Sequence, residues 1–197
     1  ASFGGAIKNL AMGGASRAGK QELHSDSVAE INPDLCVGCG VCVGYCAVQA
    51  IYLENRKSKI DQTKCQGCGE CIPVCPQNAI SPSYAGAHEK LQEKMAEYMK
   101  AITDTKKGKI FYLNILTDIS PGCDCMDHHN NQICEDLGLL GGFDPVAIDQ
   151  ASFDLVKQAT KTPDKFLEVT GLDGSFTLSH GEKIGLGSRD YDLIEIA

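Results

Sequence analysis

The sequence contains no long hydrophobic run. No stretch approaches the roughly 18 to 20 consecutive apolar residues that a helix needs to cross a bilayer. The first residues also lack the basic, apolar and small-residue pattern of a secretory signal. These two absences predict a cytoplasmic protein without a membrane span.

Basic residues are scarce as well. The chain has 18 lysines and arginines against 26 aspartates and glutamates, and its net charge is −8. The positive charges cluster only at residues 56–59 and 106–109, where we expect turns with solvated side chains. Because phosphate binding needs a concentrated basic surface, we expect no nucleic-acid partner. An acidic surface instead suits a protein that docks transiently on a basic partner.

Cysteine, by contrast, is abundant, and the count of 11 is odd. Disulfide frameworks of secreted proteins usually carry an even number, so the spacing has to distinguish disulfides from metal ligands. Residues 31–51, INPDLCVGCGVCVGYCAVQAI, recur as residues 60–80, IDQTKCQGCGECIPVCPQNAI. This repeat predicts a pseudo-symmetric module at 31–83, in which two copies of strand, cysteine loop and strand are joined by a hairpin.

Each repeat contains the Cys-x2-Cys-x2-Cys-x3-Cys run of bacterial iron–sulfur proteins. Three thiolates at this spacing wrap around three corners of a cubane, and in two-cluster proteins the fourth ligand comes from the other run. The predicted ligands of the first [4Fe-4S] cluster are Cys36, Cys39, Cys42 and Cys75. Those of the second are Cys65, Cys68, Cys71 and Cys46. Zinc is the alternative, but zinc sites usually draw four ligands from two separated pairs.

The glycines between these cysteines fit the same geometry. A backbone wrapped this tightly requires positive φ and no Cβ, and we expect this at Gly38, Gly40, Gly67 and Gly69. Amides of such a loop can point at sulfur and help to set the reduction potential. The motifs therefore predict a protein that transfers single electrons.

The segments outside the module predict an α/β domain. One segment is the Gly- and Ala-rich stretch 1–30, and the other is 84–197. The expected elements are a helix at 88–102, a strand at 110–116 covered on both faces, a helix at 146–159 capped by Asp144, a helix at 176–184, and a strand at 192–196. The predicted fold class is α+β, with a separate α/β layer beside the cysteine module.

A third group of metal-binding residue types follows the predicted strand at 110–116. Its members are Cys123, Cys125, His128, His129 and Cys134. They could hold zinc or another iron–sulfur centre, and the three cysteines could include a catalytic thiol. Their spacing matches no standard ligand signature, so unligated residues of a reduced loop, or an adventitious disulfide, are equally compatible with it.

Residues 14–20, GASRAGK, fit the first seven positions of a phosphate-binding loop. Gln21 replaces the Ser or Thr that would hold magnesium, and no clear buried strand precedes the glycines. We therefore expect no nucleotide site here.

Several segments together resemble the uncharacterised iron–sulfur-centre proteins of domain-of-unknown-function family 362. They are SFGGAIKNLAMGGASRAGK, both cysteine runs, the CDC segment with Cys134, LGLLGGFDPVAIDQASFDLV and HGEKIGLGSRDYDLIEI. This resemblance implies that the cysteine module is inserted in a larger α/β domain. It also implies that the chain is the C-terminal half of a longer protein, whose N-terminal α/β half is missing or supplied by another chain. Residues 31 to 83 also resemble bacterial two-cluster ferredoxins, which implies a βαββαβ-like fold with clusters close enough for rapid electron exchange.

Two functions follow as expectations. The first is an electron carrier that relays single electrons through two [4Fe-4S] clusters to redox partner proteins. The alternative is an oxidoreductase in which these clusters feed a third metal, cluster or thiol site at 123–134.

Overall fold

The computed structural model describes residues 3–24, 28–82, 88–106, 108–122 and 131–196. The fold is α+β, with helices and small antiparallel sheets. In chain order the elements are α1 (Ala6–Gly14), α2 (Arg17–Leu23), β1 (Ala29–Ile31), α3 (Val41–Tyr45), β2 (Ile51–Glu54), β3 (Lys57–Ile60), β4 (Ile80–Pro82), α4 (His88–Asp104), β5 (Tyr112–Leu116), β6 (Gly138–Gly142), α5 (Pro145–Thr160), α6 (Lys165–Thr170) and α7 (Ser175–Lys183).

The chain divides into two compact units. One is formed by Ala1–Ala15 together with Gln92–Ala197, and the other is the intervening segment Ser16–Leu91. The predicted module at 31–83 lies within the second unit.

In the unit Ser16–Leu91 each strand of one repeat pairs with a strand of the other. The first strand of repeat one, β1, pairs antiparallel with the last strand of repeat two, β4, while β2 and β3 form the predicted hairpin. Backbone hydrogen bonds recur at the repeat offset. Asn32 N donates to Ala79 O at 2.8 Å, and Asp61 N donates to Ala50 O at the same distance. The sequence repeat is therefore a structural pseudo-symmetry as well.

The core of this unit includes two of the cysteines that the motifs single out. Its buried cluster consists of Ala29, Cys42, Ile51, Cys71 and Ile80. The repeats differ after their cysteine loops, because repeat one forms the short helix α3 whereas residues 70–74 of repeat two form turns.

In the other unit, α5 covers one face of the β5–β6 sheet. Leu116 is 5% exposed and clusters with Val156 and Phe166, and Leu140 of β6 packs against the same group. Side chains alternate between the faces of a strand, so every second residue of β5 points toward this core.

The opposite face of the sheet carries large apolar side chains that are exposed. They are Phe111, Leu113, Ile115, Leu139 and Phe143, each at least 56% exposed. The prediction that segment 110–116 is covered on both faces is therefore wrong for the part of the chain that the structure describes. A continuous apolar run is compatible with burial of both faces of a strand. It does not show that a second element packs on the other face.

The buried carboxylate of Asp149 connects α5 to two other elements. It accepts hydrogen bonds from Ala6 N (2.7 Å) and Ile7 N (3.0 Å) at the start of α1, and from Asn114 Nδ2 (2.8 Å) of β5. A Cβ at Gly5 would overlap this carboxylate. Burial raises the pKa of Asp149, although the three N–H donors favour the charged form.

The predicted helices at 88–102, 146–159 and 176–184 are confirmed as α4, α5 and α7. Asp144 caps α5 as predicted, since its Oδ1 accepts from Val146 N (2.8 Å) and Ala147 N (3.0 Å). The helix α6 was not predicted. The predicted strand at 192–196 is wrong, because these residues pair with no strand in the described ranges, and Ile194 and Ile196 are 79% and 89% exposed.

The phosphate-loop motif at 14–20 follows the helix α1 rather than a strand. This arrangement agrees with the rejection of a nucleotide site. Within the described ranges, no helix combines the length and apolar character needed to cross a membrane.

Candidate metal centre

A cavity in the unit Ser16–Leu91 collects cysteines from both runs. It is partly open to solvent. The cysteines that line it are Cys36, Cys39, Cys42 and Cys75. Much of the remaining lining is apolar, with Ile31, Val37, Ala79 and Ile80 among its residues. Cys36 and Cys42 are buried, Cys75 is half-buried and Cys39 is exposed, so the cavity reaches the surface beside Cys39.

Glycine conformation allows the first cysteine loop to follow this path. Gly38 and Gly40 have φ of +70° and +75°, and Gly67 and Gly69 of the second loop have +65° and +74°. The predicted positive φ values are thus confirmed at all four positions. A Cβ at Gly38 would overlap the carbonyl oxygen of Arg56. This glycine is therefore required both by its backbone angle and by the close approach of the β2–β3 turn.

Ser58 of β3 contacts two of the cysteine sulfurs. Its backbone N–H donates to Cys36 Sγ at 3.4 Å, and its Oγ lies 3.4 Å from Cys42 Sγ. The pKa of Cys36 is lowered, mainly because the Ser58 amide hydrogen-bonds to the sulfur, with a smaller effect of the Lys57 charge. The amide contact stabilises negative charge on Cys36 Sγ, as a metal-binding thiolate requires, whereas in the second contact the Cys42 thiol donates to Ser58 Oγ.

Lys57 is held directly beside the first cysteine loop. Its Nζ donates to Pro33 O at 2.8 Å and to Cys36 O at 2.5 Å. The expectation that the basic residues at 56–59 are simply solvated is therefore wrong for Lys57. That expectation holds better for Lys59, whose ammonium pairs with the carboxylate of Glu54 at the surface.

Cys71, Cys68 and Cys65 of the second run lie near one another. Cys71 is buried, and burial raises its pKa to about 11, with smaller contributions from the nearby Cys68, Cys65 and Cys42. Cys46 packs against the buried cluster that contains Cys71, and its Sγ accepts a hydrogen bond from Ala50 N at 3.2 Å.

The bond to Cys46 has a counterpart one repeat later. Cys75 Sγ accepts from Ala79 N at 3.3 Å. Each run thus ends with a cysteine whose sulfur is held by the backbone four residues later. This hydrogen bond helps to fix the position of the last sulfur of each run.

The donor set of the cavity fits an iron–sulfur cluster. It consists of four free cysteines in a largely apolar lining, with amide donors aimed at sulfur. Across the described residues, no group of three or more Cys, His, Asp or Glu side chains is arranged to hold a single metal ion.

Most of the predicted third site lies outside the described residues, namely Cys123, Cys125, His128 and His129. Cys134 is described and half-buried, and it packs against the apolar cluster of Leu116, Val156 and Phe166. Burial raises its pKa, so the neutral thiol is favoured over the nucleophilic thiolate. The third site, and an oxidoreductase that uses it, stay predictions.

Lys57 and Ser58 are the site residues that sequence reasoning missed. Both belong to a strand that the motifs treat only as part of a hairpin. Extending the alignment upstream of residues 31–51 and 60–80 could have drawn attention to them, because Val28 and Ala29 occupy the equivalent positions before repeat one.

Comparison with known proteins gives one family match. The family model described as a domain of unknown function, DUF362, matches residues 1–154. A search of curated proteins finds no match.

Proposed function

We propose that this chain, which belongs to the DUF362 family, relays single electrons through two [4Fe-4S] clusters bound in a ferredoxin-like module. One observation carries the proposal. A single cavity is lined by three cysteines of the first run and by the last cysteine of the second run, Cys75. Two-cluster iron–sulfur proteins take their fourth ligand from the other run in this way.

The two proposed ligand sets are those of the crossed assignment. The first is Cys36, Cys39, Cys42 and Cys75, and the second is Cys65, Cys68, Cys71 and Cys46. The pairing of strands between the repeats supports this assignment, because it brings the end of each repeat to the start of the other. It also supports a pseudo-symmetric βαββαβ-like arrangement, with turns in place of the second helix.

The protein's own groups have separate tasks in this function. A bound [4Fe-4S] cluster supplies the ability to accept and release one electron. The thiolates hold the cluster, and apolar residues such as Ile31 and Ile80 limit the access of water. Amide N–H groups directed at Cys36 and Cys75 stabilise charge on sulfur.

The rim of the first site suits transfer to a partner protein. Cys39 is exposed, and Val37, which also lines the cavity, is 62% exposed. The cavity therefore opens to the solvent at this edge. With a net charge of −8, redox partners that present a basic surface are favoured. These partners, and an N-terminal α/β half or partner chain, stay predictions.

The decisive experiment is an iron and sulfide count, combined with EPR, on anaerobically purified protein. About eight irons per chain are expected for two [4Fe-4S] clusters. A Cys134→Ser variant is the control, and it should keep the same count. About twelve irons would require a third cluster, whereas zinc in place of iron, or no metal at all, would refute the proposal.

A further inference from the structure

Two equivalent positions just before the repeats carry different residues. At the repeat offset, Lys57 and Ser58 of β3 correspond to Val28, which directly precedes β1, and to Ala29, the first residue of β1. The first pair supplies a positive charge and a hydroxyl group, and the second pair supplies neither. The two proposed cluster sites therefore lie in unequal electrostatic surroundings.

Ser58 acts on the first site through two contacts. Its backbone N–H donates to Cys36 Sγ, and its Oγ accepts from the Cys42 thiol, each at 3.4 Å. When Cys42 binds iron as a thiolate, the same hydroxyl is the group that donates to its sulfur. The residue is only 6% exposed, so water does not readily replace these contacts. Its counterpart Ala29 belongs to the same buried cluster as Cys71 and has no hydroxyl group to offer.

Lys57 adds a charge whose position is held by the fold. Its ammonium donates to the carbonyl oxygens of Pro33 and Cys36, so it is anchored at the start of the first cysteine loop. Lys59, two residues later in the same strand, is directed to Glu54 at the surface instead. Val28, the counterpart of Lys57, carries no charge.

Building on the proposed function, we propose that Lys57 and Ser58 give the first cluster site a higher reduction potential than the second. Reduction adds one negative charge to a site. A nearby fixed cation and hydrogen bonds to ligand sulfurs stabilise that charge. An electron that enters either site then resides mainly at the first, next to the exposed edge at Cys39.

The test is a redox titration of the anaerobically purified holoprotein, followed by EPR. A Cys39→Ser variant identifies the signal of the first site. Lys57→Met should lower the equilibrium constant for one-electron reduction of that site by about tenfold. This corresponds to a reduction potential about 59 mV lower, and the potential of the second site should not change. Lys57→Arg should retain the wild-type value. Lys59→Met is the matched control and should shift neither site.

A double variant tests the asymmetry directly. Lys57→Val combined with Ser58→Ala places the residues that precede repeat one before repeat two, and should bring the two potentials closer together. Lys57→Gln, which keeps hydrogen-bond donors but removes the charge, is the second variant in case Lys57→Met fails to assemble its clusters.

Several results would overturn this inference. One is a Lys57→Met protein with eight irons and wild-type potentials, and another is an equal shift of both sites. Loss of iron from both Lys57→Met and Lys57→Gln would also refute it. Lys57 would then be needed for the clusters to assemble, and not for setting their potential. A wild-type protein without iron would refute the proposed function itself, so the two failures are distinguishable.

Discussion

Cys75 belongs to the second run of the sequence, but its side chain lines the cavity formed by the first run. In the proposed assignment it is the fourth ligand of the first site, as Cys46 is of the second. Cys75→Ser should therefore perturb the EPR signal and potential of the first cluster more than those of the second. Cys46→Ser should do the reverse, because a serine oxygen is a poorer iron ligand than a thiolate.

These two variants control for each other. Both remove the last cysteine of a run, and both sulfurs accept a backbone hydrogen bond from four residues later. Any general effect of the substitution should thus be similar in the two proteins. If Cys46→Ser altered only the first cluster, the crossed assignment would be wrong.

At the scale of one element, β5 separates a buried face from an exposed one. Leu116 is 5% exposed and packs on Val156, whereas the neighbouring Ile115 is 63% exposed. Leu116→Ala should lower the free energy of unfolding by about 3 kcal/mol, because it removes buried methyl groups and leaves a cavity. Ile115→Ala, the matched control, should cost less than about 1 kcal/mol.

Urea denaturation of both variants measures this difference. Equal losses would show that the outer face of β5 is covered in solution. A larger loss for Ile115→Ala would mean that the strand is turned over, since a shift of one residue exchanges the two faces of a strand.

Elements with local determinants were predictable. The helix α5 follows from Asp144 and Pro145 at its start, and α4 follows from apolar residues at helical spacing. The segment 192–196 has the composition of a strand, yet a strand also needs a partner that local composition does not specify. The same limit applies to β5, whose apolar run does not show how many of its faces are covered.

At the scale of the whole molecule, the division into two units predicts an unequal response to loss of iron. Each proposed cluster joins cysteines of both repeats, so assembly and folding of residues 28–82 should be coupled. Chelation of iron from the reduced protein should lower amide-exchange protection there by at least about tenfold, or about 1.4 kcal/mol. The helix α5, in the other unit, should keep its protection.

Hydrogen exchange with mass spectrometry reads both units in one sample, so α5 serves as the internal control. Equal loss of protection in both units would contradict the prediction. It would show that the iron sites stabilise the chain as a whole rather than the unit Ser16–Leu91.

The spacing of the cysteines, the positive φ at Gly69 and the N-cap of α5 at Asp144 were determined by the sequence alone. They depend on interactions between residues close together in the chain. Tertiary structure alone decided that Lys57 is anchored beside Cys36, that Asp149 holds the start of α1, and that one face of β5 is exposed. The physical reason is that these features depend on which distant segments meet, and a local pattern does not specify its partner.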